Sequence, residues 1–274
     1  MCGFPLIHLD KYLKILVQQN RRFVALCEEF PRISKSGSRD GFDRRVSRIV
    51  TPGTLIDESF LNPHENNYLL ALSISPIDNY ISESTDTIGL AWIDISTGEF
   101  SANSCTNDNL RDELARICPK EVVLDLRLAS EAPHPIQRVL LNEGYFVSYI
   151  TPSGPTISSA TDPSHESLIP PSSTFTSIET MAVNLLTTFL RTNLLDHMPK
   201  TLSPLKELAD RRMQIDSHTI QALEIRESMA EGGTRGSLLS VVKRTVTNSG
   251  TRLLSRWLCE LFNAFLLVPI YCFI

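Results

Sequence analysis

Two aspartates at the ends of apolar segments are the residues best suited to metal-dependent chemistry. Asp94 follows the apolar run 89–93 and precedes a Ser-Thr-Gly turn at 96–98, and Asp125 follows Val-Val-Leu at 122–124. Carboxylates in such positions can bind Mg²⁺ and hold it at a phosphate group. A two-metal site needs several converging carboxylates, and the sequence offers no convincing third. Shaping the turn is the commoner role for an aspartate such as Asp94.

The strand and turn around Asp94 also bear on the fold. An acidic residue late in a buried strand, followed by a hairpin turn, resembles the way in which ribonuclease-H-like folds begin. A metal-dependent nuclease using Asp94 is therefore one alternative function. The fold inference does not depend on that activity, because one fold can carry many functions.

A glycine-rich segment at 231–237 invites comparison with phosphate-binding loops. Such a loop needs a lysine directly before its final Ser or Thr, whereas Lys243 lies too far along the chain and no strand precedes the segment. The pattern G-x-x-x-x-G-K-[ST] occurs nowhere in the 274 residues. The segment therefore predicts a turn between two helices, with no ATP site and no catalytic residue.

Basic residues form two small clusters in an acidic chain. The net charge of −5 excludes a surface that is basic throughout. Any contact with DNA phosphates must then come from a local patch. The candidates for DNA binding are Arg44, Arg45, Arg48, Lys243 and Arg244. Basic runs of this kind are more often solvated or paired with neighbouring acids.

The cysteines and histidines predict no metal site. None of the six cysteines forms a C-x-x-C pair, and the histidines are scattered singly. Zinc-ligand spacing is therefore missing. Reduced, mostly buried thiols are the expected state.

Neither end of the sequence predicts a targeting or membrane-spanning segment. Residues 1–5 lead directly into an amphipathic pattern without a signal or transit peptide. Residues 261–274 are almost wholly apolar, but a spanning helix needs about 20 such residues. We interpret this tail as aberrant, as a truncated or misread gene end would produce.

The elements that position these residues form an α/β pattern followed by helices. The 3–4 spacing of apolar residues predicts a helix over 6–19, followed by a short buried strand at 23–27 and a polar loop at 34–45. The next strands are predicted at 46–50, 67–75, 87–96 and 99–105. Helices at 107–118 and 135–144 then alternate with strands at 121–125 and 146–150. A Pro/Ser-rich linker follows, and everything after it is predicted to be helical.

Several long segments resemble the MutS family of DNA mismatch-repair proteins. Residues 48–58, Arg-Ile-Val-Thr-Pro-Gly-Thr-Leu-Ile-Asp-Glu, resemble the junction between the family's mismatch-binding and connector domains. Residues 94–100 resemble a connector hairpin. Residues 213–216 and 236–239 resemble the entry to the core domain. The resemblance extends from Gly3 to Cys259, and its style is most similar to fungal mitochondrial homologues.

The resemblance implies a domain plan for the chain. Residues 1–44 would be the C-terminal remnant of the mismatch-binding domain, 45–151 an α/β connector domain with a ribonuclease-H-like mixed sheet and flanking helices, and 152–174 a linker. Residues 175–259 would open an all-α core domain, and 260–274 form the apolar tail. The family's Phe-x-Glu wedge, which contacts the mismatch, does not occur in the sequence. The chain is therefore expected to be a fragment without the wedge or the ATPase.

The resemblance also implies a function, partners and a location. The full-length family binds mismatched double-stranded DNA and uses ATP and Mg²⁺, whereas this chain is expected to hold no cofactor and to have no ATPase activity of its own. Other MutS-type subunits or repair proteins would contact the connector, and no membrane is involved. Location is expected to be mitochondrial or, less favoured, nuclear. An interaction module that binds repair partners is the alternative to a repair component.

Overall fold

The computed structural model describes residues 3–33, 39–55, 65–74, 87–129, 134–151, 175–195, 203–207, 213, 215–230 and 232–260. The predicted linker at 152–174 and nearly all of the apolar tail lie outside these ranges. Among the residues described, no helix combines the length and the hydropathy that a membrane crossing requires.

The N-terminal region is a helix packed on a hairpin. Helix α1 (Leu9–Leu13) is extended by a 3-10 turn before it and a π-helical turn after it, so helical backbone covers the predicted 6–19. Strands β1 (Val24–Ile33) and β2 (Arg39–Val50) pair antiparallel. Leu13 and Val17 are buried against Val50 and Leu55. We call residues 3–55 the hairpin module.

Two predictions for the hairpin module are wrong. The segment 23–27 is a strand from Val24 onward, but Ala25 and Cys27 are exposed rather than buried. The predicted loop at 34–45 is strand from Arg39 onward. Polar residues on both faces of β2, such as Arg44 opposite Glu29, remove the alternation by which a half-buried strand is recognised.

A six-stranded sheet forms the centre of the molecule. Its strands are β3 (Tyr68–Ile74), β4 (Thr87–Asp94), β5 (Glu99–Thr106), β6 (Glu121–Asp125), β7 (Val147–Ile150) and β8 (Leu205–Lys206). The order is β7-β6-β3-β4-β5-β8. Strands β3, β4 and β5 form an antiparallel meander, β6 and β7 extend it in parallel beyond β3, and β8 runs parallel to β5. The predicted mixed α/β class is confirmed.

Helices cover both faces of this sheet. Helices α2 (Leu110–Ile117) and α3 (Pro135–Asn142) bury their apolar sides on one face, with Leu114 and Leu140 in the core. Helix α4 (Ser177–Leu194) covers the other face through residues such as Leu186 and Phe189. The start of α4 lies so close to β4 that a Cβ on Gly89 would be 2.4 Å from the carbonyl oxygen of Ile178. Only glycine fits there.

The C-terminal part differs from the all-α region expected over 175–259. Helix α4 shares a hydrophobic core with the sheet instead of opening a separate helical unit. Strand β8 joins the edge of the same sheet, and its two residues are too short to show any alternation in the sequence. Three short helices follow: α5 (Ser217–Ala222), α6 (Leu238–Val242) and α7 (Asn248–Cys259).

Candidate functional site

The carboxylate of Asp94 is buried, and both of its oxygens accept hydrogen bonds from nearby residues. One carboxylate oxygen accepts hydrogen bonds from the backbone N and the hydroxyl of Ser96, at 2.9 and 2.6 Å. The other accepts from the backbone N of Asn67 at 3.1 Å. The side chain is completely shielded from solvent. Asp94 thus shapes the turn and fixes the start of β3, which is the commoner role expected from the sequence.

The two candidate nuclease aspartates lie at opposite ends of the sheet. Asp94 is paired with Tyr68 at the start of β3, whereas the parallel register of Val123 with Ala71 places Asp125 level with Ser73. Five residues of extended strand separate these levels by roughly 17 Å. Asp125 is also bonded to the guanidinium of Arg127. The two carboxylates cannot share a metal ion, so the alternative of a nuclease using Asp94 loses its proposed site.

No other group in the described ranges replaces that metal site. Among those residues, no three His, Cys, Asp or Glu side chains gather as a metal site requires. The glycine-rich segment forms the predicted turn, with Gly232 and Gly236 at positive φ and Ser237 capping α6.

The first basic cluster is paired within the hairpin module. Arg44 donates two hydrogen bonds, of 2.9 and 2.7 Å, to Glu29 on the adjacent strand. Arg45 lies over the ring of Phe30 at 5.8 Å. Arg48 lies opposite Leu26 in the strand register. These contacts give the arginines roles within the hairpin, and their contact with DNA stays a prediction.

The second basic cluster is placed on the helical side. Lys243 follows the last residue of α6, and Arg244 is exposed directly after it. The structure shows no arrangement that joins Lys243 or Arg244 to the hairpin arginines. DNA contact by this pair also stays a prediction.

The hairpin module is attached to the sheet through residues 51–54, which we call the junction loop. The Glu121 carboxylate, fully buried at the start of β6, accepts hydrogen bonds from the hydroxyl of Thr51 and from the backbone N of Gly53 at 2.8 Å. Its second oxygen accepts from the hydroxyl of Ser148. A Cβ on Gly53 would lie 2.6 Å from the side chain of Leu69, so the loop packs directly on the sheet.

The electrostatics of Glu121 reflect this burial. Removal from water raises the pKa of the carboxyl group, and the bonds from Ser148, Thr51 and Gly53 oppose that rise without cancelling it. Three donors from two separate segments therefore converge on one buried acid. Substitution of Glu121 would leave those donors unsatisfied.

The helical part is attached to the sheet through ion pairs, and the first centre is Arg116 on α2. Its guanidinium bonds to Glu113 at 2.9 and 2.6 Å, lies 3.2 Å from Glu207, and also pairs with Glu260 at the end of α7. It lies over the ring of Trp92 at 5.2 Å. Burial alone would lower the pKa of Arg116, but the three glutamates raise it, so the charge is retained.

The second centre is Arg256 on α7. It pairs with Glu99 at the start of β5, with Glu207 at 2.9 Å and with Glu260 at 3.0 Å. We call these two arginines and four glutamates the charged cluster: Glu99, Glu113, Arg116, Glu207, Arg256 and Glu260. The cluster joins α2, β5 and the segment after β8 to α7.

Backbone contacts strengthen the same attachment. Arg226 donates to the carbonyl oxygens of Ala115 and Arg116 in the last turn of α2, at 2.9 and 2.7 Å. A cation at a helix C-terminus is favourable because the unpaired carbonyls carry partial negative charge. The backbone N of Ser217 donates to Asp112 at 2.8 Å. Two cavities border α7 on the side of the sheet, with about 60 and 170 Å³, and each has room for several water molecules.

Neither attachment was predicted from the sequence. Glu121 carried a weak signal, since an acid at the start of the apolar strand Val-Val-Leu is unusual. Arg116 carried no such signal. Two of its partners, Glu207 and Glu260, are too distant in the sequence for helical or strand periodicity to indicate the contact, and only Glu113 is near.

Comparison with known proteins supports three family domains along the chain. Residues 1–59 match MutS domain I, residues 67–155 match MutS domain II and residues 218–260 match MutS domain III. The order of the three matches follows the order in which the hairpin module, the sheet and the short helices occur.

Bacterial relatives match the chain over nearly its whole length. It is 35% identical to the DNA mismatch repair protein MutS of Rhodopseudomonas palustris strain HaA2 over 258 residues, which are 93% of this chain and 28% of the relative. The MutS proteins of Dinoroseobacter shibae and Nitrobacter winogradskyi are 34% and 35% identical, covering 95% and 93% of this chain. The chain therefore spans between a quarter and a third of the length of these relatives.

These relatives correct the expectation for location. A mitochondrial or nuclear protein was expected from the similarity to fungal mitochondrial homologues, but the matched proteins are bacterial. That expectation is wrong. With matches to three consecutive domains and to bacterial relatives over more than nine-tenths of its residues, the chain belongs to the MutS family of DNA mismatch repair proteins.

Proposed function

We propose that this chain serves DNA mismatch repair as the connecting part of a MutS-type protein. It would hold the mismatch-binding domain and the core domain in a fixed relation to one central sheet. One observation carries this proposal: the junction loop and α7 attach to the same end of the sheet, where the strands β3, β5 and β6 begin and β4 ends. The start of β3 is paired with the end of β4, the end of β4 with the start of β5, and the start of β6 lies beside β3.

The domain plan is part of the proposal, with one revision. The packing of α4 on the sheet and the pairing of β8 with β5 favour a connector domain that continues beyond residue 151 and includes α4. The ribonuclease-H-like assignment is supported by the antiparallel meander followed by two parallel strands on the far side of β3. The core domain would then begin with α5.

The partners and cofactors follow from the family. Mismatched double-stranded DNA would be bound by the complete protein, and other MutS-type subunits or repair proteins would contact the connector. We expect the 274-residue chain to show no ATP turnover and to bind a mismatched duplex weakly or not at all. A coupled ATPase assay and a filter-binding assay with a G·T mismatch check both expectations, and clear activity in either would contradict them.

A chimera tests the connecting function directly. The matching segment of the Rhodopseudomonas palustris MutS would be replaced by residues 67–260 of this chain and expressed in a bacterium that lacks MutS. We expect the mutation rate to fall toward that obtained with the intact relative. A chimera that accumulates to normal levels and leaves the mutation rate unchanged would refute the proposal.

A further inference from the structure

We propose that residues 66–68 couple the position of the junction loop on the sheet to the position of α7, with Asn67 and Tyr68 as positioning residues. This inference rests on the proposed function, because it states how one end of the sheet would couple the positions of the two neighbouring domains. It is carried by hydrogen bonds on two consecutive residues of β3 and its approach: Asn67 bonds to the junction loop, and Tyr68 bonds to Glu99, which also accepts from Arg256.

On the loop side, Asn67 is the contact. Its side-chain amide donates to the carbonyl oxygen of Pro52 at 3.3 Å, and its backbone N donates to Asp94 at 3.1 Å. Asn67 is buried, so both groups depend on these partners. A shift of the junction loop would therefore disturb the first residues of β3.

On the helix side, Tyr68 is the contact. Its hydroxyl donates to one carboxylate oxygen of Glu99 at 3.0 Å and accepts from the side-chain amide of Asn66 at 2.9 Å. The other oxygen of Glu99 accepts from Arg256 on α7. Glu99 is thus shared between the strand and the helix, and its position depends on both.

The hydroxyl of Tyr68 is well suited to this role. Burial raises its pKa far above the ordinary range, and the charge of Glu99 raises it further, so the hydroxyl stays protonated and remains a donor. The ring is fixed in the hydrophobic core beside Leu70 and Trp92. A rigid ring with one hydrogen-bonding end transmits a displacement of Glu99 to β3 instead of absorbing it.

Amide hydrogen exchange of the 274-residue chain tests the coupling. Arg256→Met perturbs the helix side, and exchange is measured by mass spectrometry at residues 51–54, which Arg256 does not contact. We expect exchange at the loop to accelerate about 2- to 30-fold, the range that coupling energies of this kind produce. Tyr68→Phe keeps the ring, removes only the hydroxyl, and should accelerate exchange at both the loop and α7.

The double variant decides between a shared route and separate effects. If Tyr68 carries the coupling, Arg256→Met should add little to loop exchange once the hydroxyl is gone. Arg111→Met, which removes the exposed pair between Arg111 on α2 and Glu143 after α3, is the matched control and should change neither peptide.

Three outcomes would overturn the inference: an unchanged loop in Arg256→Met, multiplied effects in the double variant, or equal acceleration of the β4 peptide, which would indicate global unfolding. The chimera measurement is independent of all three. A working chimera with uncoupled exchange would sink this inference alone, whereas an inactive chimera with coupled exchange would sink only the proposed function.

Discussion

Removal of Arg116 should destabilise this protein far more than removal of an ordinary surface arginine. The Arg116 side chain is only 10% exposed, and its partners Glu113, Glu207 and Glu260 are between 6% and 12% exposed. Breaking one side of a buried ion pair costs about 3–5 kcal/mol, because the remaining charge stays buried without compensation. Loss of the contact with Trp92 adds about 0.5–2 kcal/mol. We therefore expect Arg116→Met to cost about 3.5–7 kcal/mol.

The matched control lies on the same helix. Arg111 and Glu143 are 3.8 Å apart, and their side chains are 57% and 45% exposed. An exposed pair of this kind contributes about 0–1 kcal/mol, so Arg111→Met should be nearly neutral. Both variants keep a straight apolar side chain of similar length, which separates the loss of charge from the loss of packing.

Equilibrium urea denaturation measures both variants, with far-UV circular dichroism for the whole fold and with tryptophan fluorescence, to which Trp92 beneath Arg116 and Trp257 on α7 both contribute. A compensating change sharpens the test. Because the charged cluster holds four glutamates and two arginines, Arg116→Met combined with Glu260→Gln should recover part of the lost stability. The reasoning fails if Arg116→Met is no more destabilising than Arg111→Met, or if the second change deepens the loss.

Further predictions concern packing, thiols and acid stability. Gly89→Ala should lower the free energy of unfolding by about 1–3 kcal/mol, because the added Cβ would overlap Ile178. The control is Gly233→Ala, whose Cβ would have no atom within 4 Å, and thermal denaturation of both variants should show a loss of stability only for Gly89→Ala. Burial and the charge of Glu113 raise the pKa of Cys105 to about 12, so a brief iodoacetamide pulse should label exposed Cys27 and Cys118 first, and equal labelling would contradict this. Although burial opposes it, the bond from Lys206 lowers the pKa of Glu179 below its ordinary value, so its stabilisation is present at neutral pH and is lost as the pH falls through the native pKa. Glu179→Gln should therefore flatten the acid limb of the stability profile, and an unchanged limb would show that the pair contributes nothing.

The elements that could be predicted from the sequence are those that bury one face through regularly spaced apolar residues. Strands β3 to β7 and helices α2 and α3 bury apolar residues at regular spacing, and each was predicted within a few residues of its observed bounds. Strand β2 escaped because it is polar on both sides, and β8 because two residues carry no period. The order of strands in the sheet could not be predicted from spacing, since the paired residues Leu69 of β3 and Glu121 of β6 are 52 positions apart in the sequence.

The candidate site escaped for a related reason. Thr51 and Glu121 are 70 positions apart, Arg116 and Glu260 are 144 apart, and Arg256 and Glu99 are 157 apart. The spacing of apolar residues shows only which face of a helix or strand is buried, and it gives no information on which distant segment contacts that face. In the sequence alone, a charge that is buried by a distant segment, such as Arg256, cannot be distinguished from a solvated one.

The two attachments differ in physical character, and that difference bears on function. The junction loop packs on the sheet through close contact at Gly53, and Thr51 and Gly53 both donate to the fully buried Glu121, so displacement of the loop would leave these groups unsatisfied. The attachment of α7 rests on ion pairs of two kinds: Arg116 and Glu260 are 10% and 6% exposed, whereas Arg256 and Glu99 are about one-third exposed, so that water and salt can replace the second pair at lower cost. Within the helical side, the pair of Arg256 and Glu99 is therefore the contact that is lost first. Its loss would first affect Tyr68, because Glu99 accepts hydrogen bonds from both Tyr68 and Arg256.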